Sequence, residues 1–489
     1  MFAEESGLKP DPQGEAWGTV LVDDARFAVG GVRCLICRMM SRVLLLGLIL
    51  GVVNLAGNPK LRVSDDGRHL VTTEGEPFFW LGDTAWELFH RLSAEEASMY
   101  LENRAAKGFT VIQCVLLAEL DGLTVPNANG DLPLIDQDPT RPNEAYFAHA
   151  DRIVARGNAL GLTMGLLPTW GDKFNRKWGV GPEVFTPDNA RVYGRWVGSR
   201  YREANVVWIL GGDRLPDDAE DVAIIDAMAA GLREAVGDAQ LITYHPQGGA
   251  SSSRDWHDRA WLDFNLFQSG HSYRDGPNHA MVTADRARSP VKPVIDGEPN
   301  YEDHTVDWKP EELGWFSDYE PRRAAWWAML AGAAGHTYGH HAIWQMWQPG
   351  RAPITQVRTP WQSALDYPGA WQMGVMRRVL ETLPWQRLEP TPAAVSAVDG
   401  GSADPAAKVL GAVDREGTFA LAYSPYGDEF VFDLSGLSAD PASASWIDPR
   451  TGHAIAIAPP ARDAGPVRFD PPHEPARGND WVLLLKTTP

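Results

Sequence analysis

The stretch NVVWILGGD, residues 205–213, sets the pattern from which the fold can be predicted. It is a short apolar run that ends on two glycines and an acid. From Leu61 onward such runs alternate with amphipathic helical stretches, the pattern of repeated βα units. There are eight of them: PFFWLGDTAW (77–86), FTVIQCVLLAEL (109–120), LTMGLLPTWGD (162–172), NVVWILGGD (205–213), QLITYHP (240–246), WLDFNLFQSGH (261–271), KPVIDGEPN (292–300) and AGHTYGHHAIWQ (334–345).

The eight runs end on polar or aromatic side chains. These are Asp83, Glu119, Trp170, Asp213, His245, His271, Glu298 and His341. In a (β/α)8 barrel the carboxyl ends of all the strands ring one mouth, whereas an open doubly wound sheet would bring only a few of them together. The sequence therefore predicts an α/β fold, a (β/α)8 TIM barrel.

The sequence pattern changes beyond about Pro384. Helical periodicity fades, and Gly, Pro and Asp separate short alternating runs such as GTFALAYSPYG, EFVFDLSG, ASASWIDPRTG and DWVLLLKT. This pattern is typical of a small β-sandwich. We therefore predict an N-terminal extension with a signal peptide over residues 1–57, a catalytic barrel over 58–384 and a C-terminal β-sandwich over 385–489.

The composition of the 489 residues bounds the class of protein. A hydrophobic content of 44% and a charged content of 22% are those of a soluble globular protein. The formal net charge of −20 repels phosphate backbones, so nucleic acid is excluded as an expected partner. The 20 tryptophans favour carbohydrate handling, because indole rings are platforms for sugar faces as well as core material.

The stretch MMSRVLLLGLILGVVNLAG, around residues 39–57, has the shape of a signal peptide. Its apolar run is too short to span a bilayer comfortably. We expect a periplasmic or secreted protein with no integral membrane span after leader removal; the alternative is a buried or anchoring N-terminal helix. Cleavage would leave Cys114 as the only cysteine, and therefore no intramolecular disulfide.

Asp213 and Glu298 are the candidate catalytic pair. They end the fourth and seventh runs, which face each other across a barrel mouth. Glycosidic cleavage needs two such carboxyls, one to protonate the leaving oxygen and one to attack the sugar or activate water. A gap of about 5–5.5 Å between them predicts retention, and about 6.5–9.5 Å inversion. The alternative to a catalytic role is a structural one. Asp213 would then be a turn residue, and Glu298 would form a salt bridge at the start of a loop.

Other side chains at the strand ends are candidates for substrate binding. They are Asp83, Trp86, Trp170, His245, Gln268, His271, Tyr301, His341 and Trp344. For Asp83 a helix cap, and for each histidine a structural role, is an equally good interpretation.

We expect no metal and no cofactor. His336 and His340 are four residues apart, but the first strand ends in Gly-Asp and offers no matching ligand set. A phosphate loop, a nucleophile elbow and a dinucleotide fingerprint are also missing from the sequence.

The acids around Glu298 differ in their expected roles. Asp296 lies two residues earlier on the same strand face and is interpreted as a supporting hydrogen-bond partner. Glu302 and Asp303 follow Pro299 and are interpreted as solvated loop charges.

Five segments together resemble the apiosidase family of glycoside hydrolases, family 140: FFWLGDTAWELFHRLS, GFTVIQC, WILGGDRL, VIDGEPNYE and AGHTYGHHAIWQM. The similarity runs from about Pro59 to Pro489. It implies a (β/α)8 barrel with a C-terminal sandwich sometimes labelled collagen-binding. It also implies hydrolysis of β-linked apiose, either from the pectin rhamnogalacturonan II or from apiosylated plant glycosides.

By that resemblance Asp213 is the expected acid/base and Glu298 the expected nucleophile of an exo-acting, retaining enzyme. The expected partner is a plant cell-wall polysaccharide or glycoside. The polar loop from Asn127 to Asn143 could alter the sugar accepted. Two alternatives stay open: a barrel glycosidase for another sugar, such as an arabinofuranosidase or an endo-glycanase, and a non-catalytic carbohydrate-binding protein.

Overall fold

A computed structural model describes residues 60–398, 404–462 and 465–488 of the chain. The strands, numbered in chain order, are β1 (Leu61–Val63), β2 (Leu70–Thr72), β3 (Trp80–Thr84), β4 (Val111–Val115), β5 (Thr163–Leu167), β6 (Val206–Gly211), β7 (Ile242–His245), β8 (Ala250–Ser251), β9 (Asn265–Gln268), β10 (Val294–Asp296), β11 (Gly335–Tyr338), β12 (Leu388–Pro390), β13 (Val395–Ala397), β14 (Leu410–Asp414), β15 (Phe419–Ser424), β16 (Phe430–Phe432), β17 (Ser443–Ile447), β18 (Ala454–Ile457), β19 (Val467–Phe469) and β20 (Trp481–Lys486).

The α-helices are numbered in the same way. They are α1 (Leu88–Arg91), α2 (Ala94–Lys107), α3 (Glu144–Ala159), α4 (Pro187–Arg200), α5 (Ala219–Val236), α6 (Ser253–Trp256), α7 (Asn278–Arg286), α8 (Pro310–Leu313), α9 (Tyr319–Leu330), α10 (His341–Trp344), α11 (Trp361–Ala364) and α12 (Pro368–Glu381).

The predicted barrel is confirmed, and each of the eight apolar runs contains one of its strands. The strand order is β7-β6-β5-β4-β3-β11-β10-β9, with all neighbours parallel and the short β8 added antiparallel to β9. The circle closes between β7 and β9. There the Asp263 N–H donates to the Ile242 carbonyl at 2.9 Å, and the Thr243 hydroxyl donates to the Phe264 carbonyl at 2.7 Å.

The barrel strands are apolar runs because both of their faces are covered. Every residue of β4, β5 and β6 is buried, with helices outside the sheet and side chains filling its interior. The helices carry the local signals that the sequence predicts. In α2 the N-cap Ser93 and Glu96 form a capping box, and Gly108, at a φ of 91°, ends the helix.

The register between neighbouring strands places their carboxyl ends at the same end of the barrel. Gly211 of β6 pairs with His245 of β7, so Asp213 emerges beside His245. On the other side of the barrel the Glu298 carbonyl accepts from the Gly270 N–H at 3.0 Å, and the Gln113 side chain donates to the Gly297 carbonyl at 2.8 Å. These bonds hold the backbone around Glu298 from two sides.

The C-terminal segment is a β-sandwich, as predicted, and all four predicted runs contain strands. One sheet has the order β12-β14-β15-β20-β17-β18 and the other β13-β16-β19, all antiparallel. The sandwich packs on α9 of the barrel. There Arg322 makes two hydrogen bonds to Asp480, at 2.8 and 2.7 Å, and Trp326 stacks on Tyr423 with ring centroids 6.1 Å apart.

The predicted leader around residues 39–57 lies outside the described residues. Within the described ranges, none of the helices has the length and the apolar character that a membrane crossing requires.

Candidate active site

A cavity of about 580 Å³ opens at the carboxyl ends of the barrel strands. This volume is within the usual range for a small-molecule site. Its lining combines acids with a large number of aromatic rings. The lining residues are Trp86, Glu119, Leu120, Trp170, Trp178, Asp213, Gln247, Gly248, Gln268, His271, Ser272, Glu298, Tyr301, His304, Trp308, Trp344, Ile354 and Thr355.

Asp213 reaches the cavity through a turn of three successive left-handed residues. Gly211, Gly212 and Asp213 have φ angles of 88°, 101° and 57°. Glycine adopts this conformation freely, whereas for aspartate it carries strain of the kind found at functional sites. The Asp213 N–H donates to His245 Nδ1 at 3.2 Å, and Trp178 Nε1 donates to Asp213 Oδ2 at 3.2 Å. The turn and these two bonds orient the carboxyl.

Glu298 lies between two histidines. His271 Nε2 donates to Glu298 Oε1 at 3.0 Å, and His245 Nε2 lies 2.9 Å from Oε2. Because Nδ1 of His245 accepts from the Asp213 N–H, the neutral ring carries its proton on Nε2, facing Glu298. One imidazole therefore connects the backbone of the first acid to the carboxylate of the second.

The environments of the two acids push their pKa values apart. Burial, and then the negative charge of Glu298, raise the pKa of Asp213 to about 6. Burial also works against ionisation of Glu298, but His245 and His271 outweigh it and lower the pKa of Glu298 to about 2. Near neutral pH Glu298 is thus a permanent carboxylate, whereas Asp213, which lines the same cavity, can gain and lose a proton. A separation of this kind is typical of a pair in which one carboxyl acts as an acid and the other as a nucleophile or base.

Six of the predicted binding residues line the cavity: Trp86, Trp170, Gln268, His271, Tyr301 and Trp344. Trp86 lies edge-on to His245 with ring centroids 5.3 Å apart, and Tyr301 packs on His271 at 4.4 Å. The aromatic walls therefore also support the two histidines that hold Glu298.

Three of the predicted binding residues lie outside the lining. Asp83 is fully buried in the barrel, where its carboxylate accepts from Arg104 Nε and from the Tyr100 hydroxyl. That prediction needs correction, because an ion pair inside the fold already occupies Asp83. His245 is fully buried and acts on Glu298 instead of on a ligand. His341 lies behind the wall, edge-on to His304 at 4.3 Å, with its Nδ1 accepting from Trp344.

Several lining residues were not predicted. Trp178 and Trp308 lie on long loops after β5 and β10, 61% and 47% exposed, and loops carry no periodic signal. His304 stacks on His271 with ring centroids 4.4 Å apart. Glu119 ends the second run, and its strand-end position was the available signal. Burial, followed by the charges of Glu87, Asp172 and Asp213, raises the pKa of Glu119 well above the ordinary value.

Two interpretations of neighbouring acids are decided by the structure. Asp296 is the supporting partner that was expected: its Oδ2 accepts from Ser269 and from Asn278. Glu302 and Asp303 are not solvated, since both are 3% exposed. The Glu302 carboxyl accepts from the Tyr338 hydroxyl at 2.5 Å and from the Gly369 N–H at 3.0 Å, and Asp303 pairs with Arg358.

The polar loop from Asn127 to Asn143 does not line the cavity in the described part of the chain. The cavity-lining residues on loops after the strands include Leu120, Trp178, Gln247, Ser272, Trp308 and Thr355. These loops, and not residues 127–143, therefore border the space that a substrate would occupy.

Comparison with known proteins identifies the class to which this site belongs. A solved structure named "Glycoside hydrolase" matches with a TM-score of 0.80 at 30% identity, covering 88% of this chain and 97% of that chain. A glycoside hydrolase family 5 structure from Bacteroides vulgatus matches with a TM-score of 0.80 at 29% identity, covering 88% and 94%. This protein is a glycoside hydrolase.

The family follows from the match to sequence profiles. Residues 64–387 match the family described as "Apiosidase-like, catalytic domain", and residues 393–486 match the "Putative collagen-binding domain of a collagenase". Because the first match covers more than half of the chain, the protein belongs to the apiosidase-like family. No curated protein matches at a significant level.

Proposed function

We propose that this protein is an exo-acting, retaining β-apiosidase that releases apiose from plant pectin or from apiosylated plant glycosides. Glu298 attacks the anomeric carbon, and Asp213 protonates the leaving oxygen and then activates the water that releases the sugar. The observation that carries the proposal is the pair of carboxyls in one aromatic-lined cavity with pKa values of about 2 and about 6. Membership of the apiosidase-like family supports the choice of apiose as the sugar.

The contacts of Glu298 favour a nucleophile over a general base. The histidines contact both of its oxygens and keep it ionised at any pH at which the protein would work. A carboxylate whose pKa is about 2 is a weak base toward water, but it forms an ester with a sugar cation readily. The pKa of about 6 suits Asp213 to the alternating role of acid and base.

The first experiment identifies the sugar. Purified protein is incubated with an apiosylated flavonoid, with rhamnogalacturonan II and with a panel of nitrophenyl glycosides, and the released monosaccharide is identified. We expect apiose. Asp213→Asn and Glu298→Gln should each lose at least about a thousandfold in kcat and still bind substrate. Release of arabinose without apiose would contradict the choice of sugar and leave the mechanism in place.

The second experiment tests the roles by azide rescue. With an activated aryl glycoside, azide should restore turnover of Glu298→Ala and give the glycosyl azide of inverted configuration, because it replaces the nucleophile. Azide should restore Asp213→Ala with retained configuration, because it replaces the activated water. The same product configuration from both variants would contradict the retaining mechanism.

We also propose that the enzyme is exported, on the strength of the leader-like stretch around residues 39–57. Expression of the full chain in a bacterial host, followed by fractionation and N-terminal sequencing of the exported form, tests this. A protein that stays in the cytoplasm with its N-terminus intact would contradict it.

A further inference from the structure

Trp178 lies beside the acid and not beside the nucleophile. Its Nε1 donates to Asp213 Oδ2 at 3.2 Å, and the indole is 61% exposed at the cavity. A general acid must reach the oxygen between the sugar and its leaving group. A ring attached to that acid by a hydrogen bond therefore borders the space of the leaving group.

The ring is held in place from behind. The guanidinium carbon of Arg214 lies 4.3 Å from the centroid of the Trp178 ring. Arg214 is itself buried, and its three nitrogens donate to the carbonyls of Asn175, Asp213 and Arg176. This cation helps to fix the orientation of the indole, and the exposed part of the ring is left for a ligand.

The described lining of the cavity is unfavourable for an anion, because its one permanent charge is the Glu298 carboxylate. None of the described residues that line the cavity is a lysine or an arginine, whereas Glu119, Asp213 and Glu298 all line it. Arg214 donates to three backbone carbonyls, and its Nη1 lies 3.7 Å from Asp213 Oδ2. Lys177, whose Nζ lies 5.9 Å from the centroid of the Trp178 ring, pairs with Asp217 at 2.8 Å. The whole chain carries a formal net charge of −20.

From these contacts we infer that Trp178 is the platform for the leaving group, and that the leaving group is an uncharged, flat-faced moiety such as an aryl or neutral glycosyl aglycone. This inference rests on the proposed function for the identity of the sugar. It separates the two substrate classes left open above: a galacturonate leaving group would bring a second carboxylate into a cavity that already holds ionised Glu298 and has no lysine or arginine among the described residues that line it. Trp178 thus has two tasks, stacking on the aglycone and positioning the Asp213 carboxyl.

Charge is tested with two leaving groups that differ only in ionisation. β-Apiosyl galacturonic acid and its methyl ester are compared at low and at high ionic strength. We expect kcat/KM to be about tenfold higher for the ester at low salt. The gap should narrow in high salt because the repulsion is screened. Equal values, or a preference for the free acid, would overturn the inference.

The platform is tested with 4-nitrophenyl β-apioside and two variants of one residue. Trp178→Ala should raise KM about tenfold, the usual worth of an aromatic stacking contact. Trp178→Phe should keep KM near the wild-type value because the ring is retained. It should also move the alkaline limb of the pH profile to higher pH, since the N–H that stabilises ionised Asp213 is gone. Wild-type kinetics for Trp178→Ala would overturn the inference.

Trp371 provides the matched control. It is 48% exposed on α12, with Lys107 4.3 Å above its ring, and it lies outside the cavity. Trp371→Ala should leave KM and the pH profile unchanged. If the wild type releases another sugar and no apiose, the proposed function fails, and the Trp178 comparison is repeated on the aryl glycoside of that sugar, where an unchanged KM would still overturn the platform.

Discussion

His245 links the two acids of the site. One ring nitrogen accepts from the Asp213 N–H and the other faces Glu298, so one imidazole contacts both the turn that carries Asp213 and the Glu298 carboxylate. This geometry keeps Glu298 ionised, and its negative charge in turn helps Asp213 to keep its proton. Two ordinary carboxylic acids become different reagents through their neighbours.

This coupling predicts the pH dependence of activity. In the proposed mechanism Asp213 must be protonated for the first step, and its pKa is raised to about 6, so kcat/KM should fall tenfold per pH unit above about pH 6. Glu298, at a pKa of about 2, should place no acid limb above about pH 3. The profile of kcat/KM on an aryl apioside, measured with stability controls at each pH, checks this. Constant activity up to pH 8 would contradict the assignment of Asp213.

The same coupling can be tested without turnover. Glu298→Gln removes the negative charge that is the second cause of the raised Asp213 pKa, so that pKa should fall from about 6 toward its ordinary value. Carbon-13 NMR titration of labelled aspartate carboxyls measures it. Glu302→Gln is the control, since it alters a buried acid outside the cavity lining and should leave Asp213 unmoved. An unchanged pKa in Glu298→Gln would contradict the coupling.

At the scale of elements, the turn after β6 decides where the acid points. Gly212 occupies a left-handed conformation, and a Cβ there would lie 2.8 Å from the Gly171 nitrogen and 3.0 Å from Trp170 Cα. Both contacts are to backbone, which cannot move aside as a flexible side chain can. The close approach of two loops is thus what requires glycine at this position.

Gly212→Ala should therefore displace Asp213 and reduce kcat by a hundredfold or more, about the effect of a 1 Å misplacement of a reacting group. Gly130→Ala is the matched control: Gly130 has a similar φ of 89°, but a Cβ there would meet nothing within 4 Å. It shares the conformational strain without the clash and should keep near-normal kcat. Steady-state kinetics on both variants, with circular dichroism to confirm folding, make the comparison. Equal losses would show that strain alone is responsible.

At the scale of the whole molecule, a buried ion pair joins the two domains. Arg322 on α9 meets Asp480 just before β20, and the Tyr423 hydroxyl donates to the same carboxylate at 3.0 Å. Both charged groups are almost fully buried. Such a pair adds little over an apolar contact, but breaking it leaves one charge uncompensated. The sandwich is therefore bound to the barrel by a specific polar network.

Arg322→Ala should lower the free energy of unfolding by about 3–5 kcal/mol, because Asp480 would stay buried without its partner. Arg468→Ala removes half of a pair with Glu429 on the sandwich surface and should cost less than about 1 kcal/mol. Denaturant unfolding of both variants provides the measurement. A loss for Arg322→Ala no greater than that for Arg468→Ala would contradict a structural role of this pair.

Local patterns in the sequence were sufficient for the barrel and for the two acids. Eight buried strands need apolar runs, and strand ends need turn residues, so Asp213 and Glu298 could be placed at one mouth without coordinates. The four sandwich runs were found by the same alternation. These features depend on residues close to one another in the chain, and the periodicity of the chain reports them directly.

What only the tertiary structure decided is the partner of each polar group. Asp83 resembles Asp213 in its sequence context, yet its carboxylate pairs with Arg104 inside the fold. The Asp213 carboxylate instead accepts from Trp178 at the cavity, and His245 accepts from the Asp213 N–H. Glu302 reads as a solvated loop acid and is buried under Tyr338. The burial and the charge state of a side chain depend on residues that lie far away in the chain. Unlike strand periodicity, those contacts leave no local signal in the sequence.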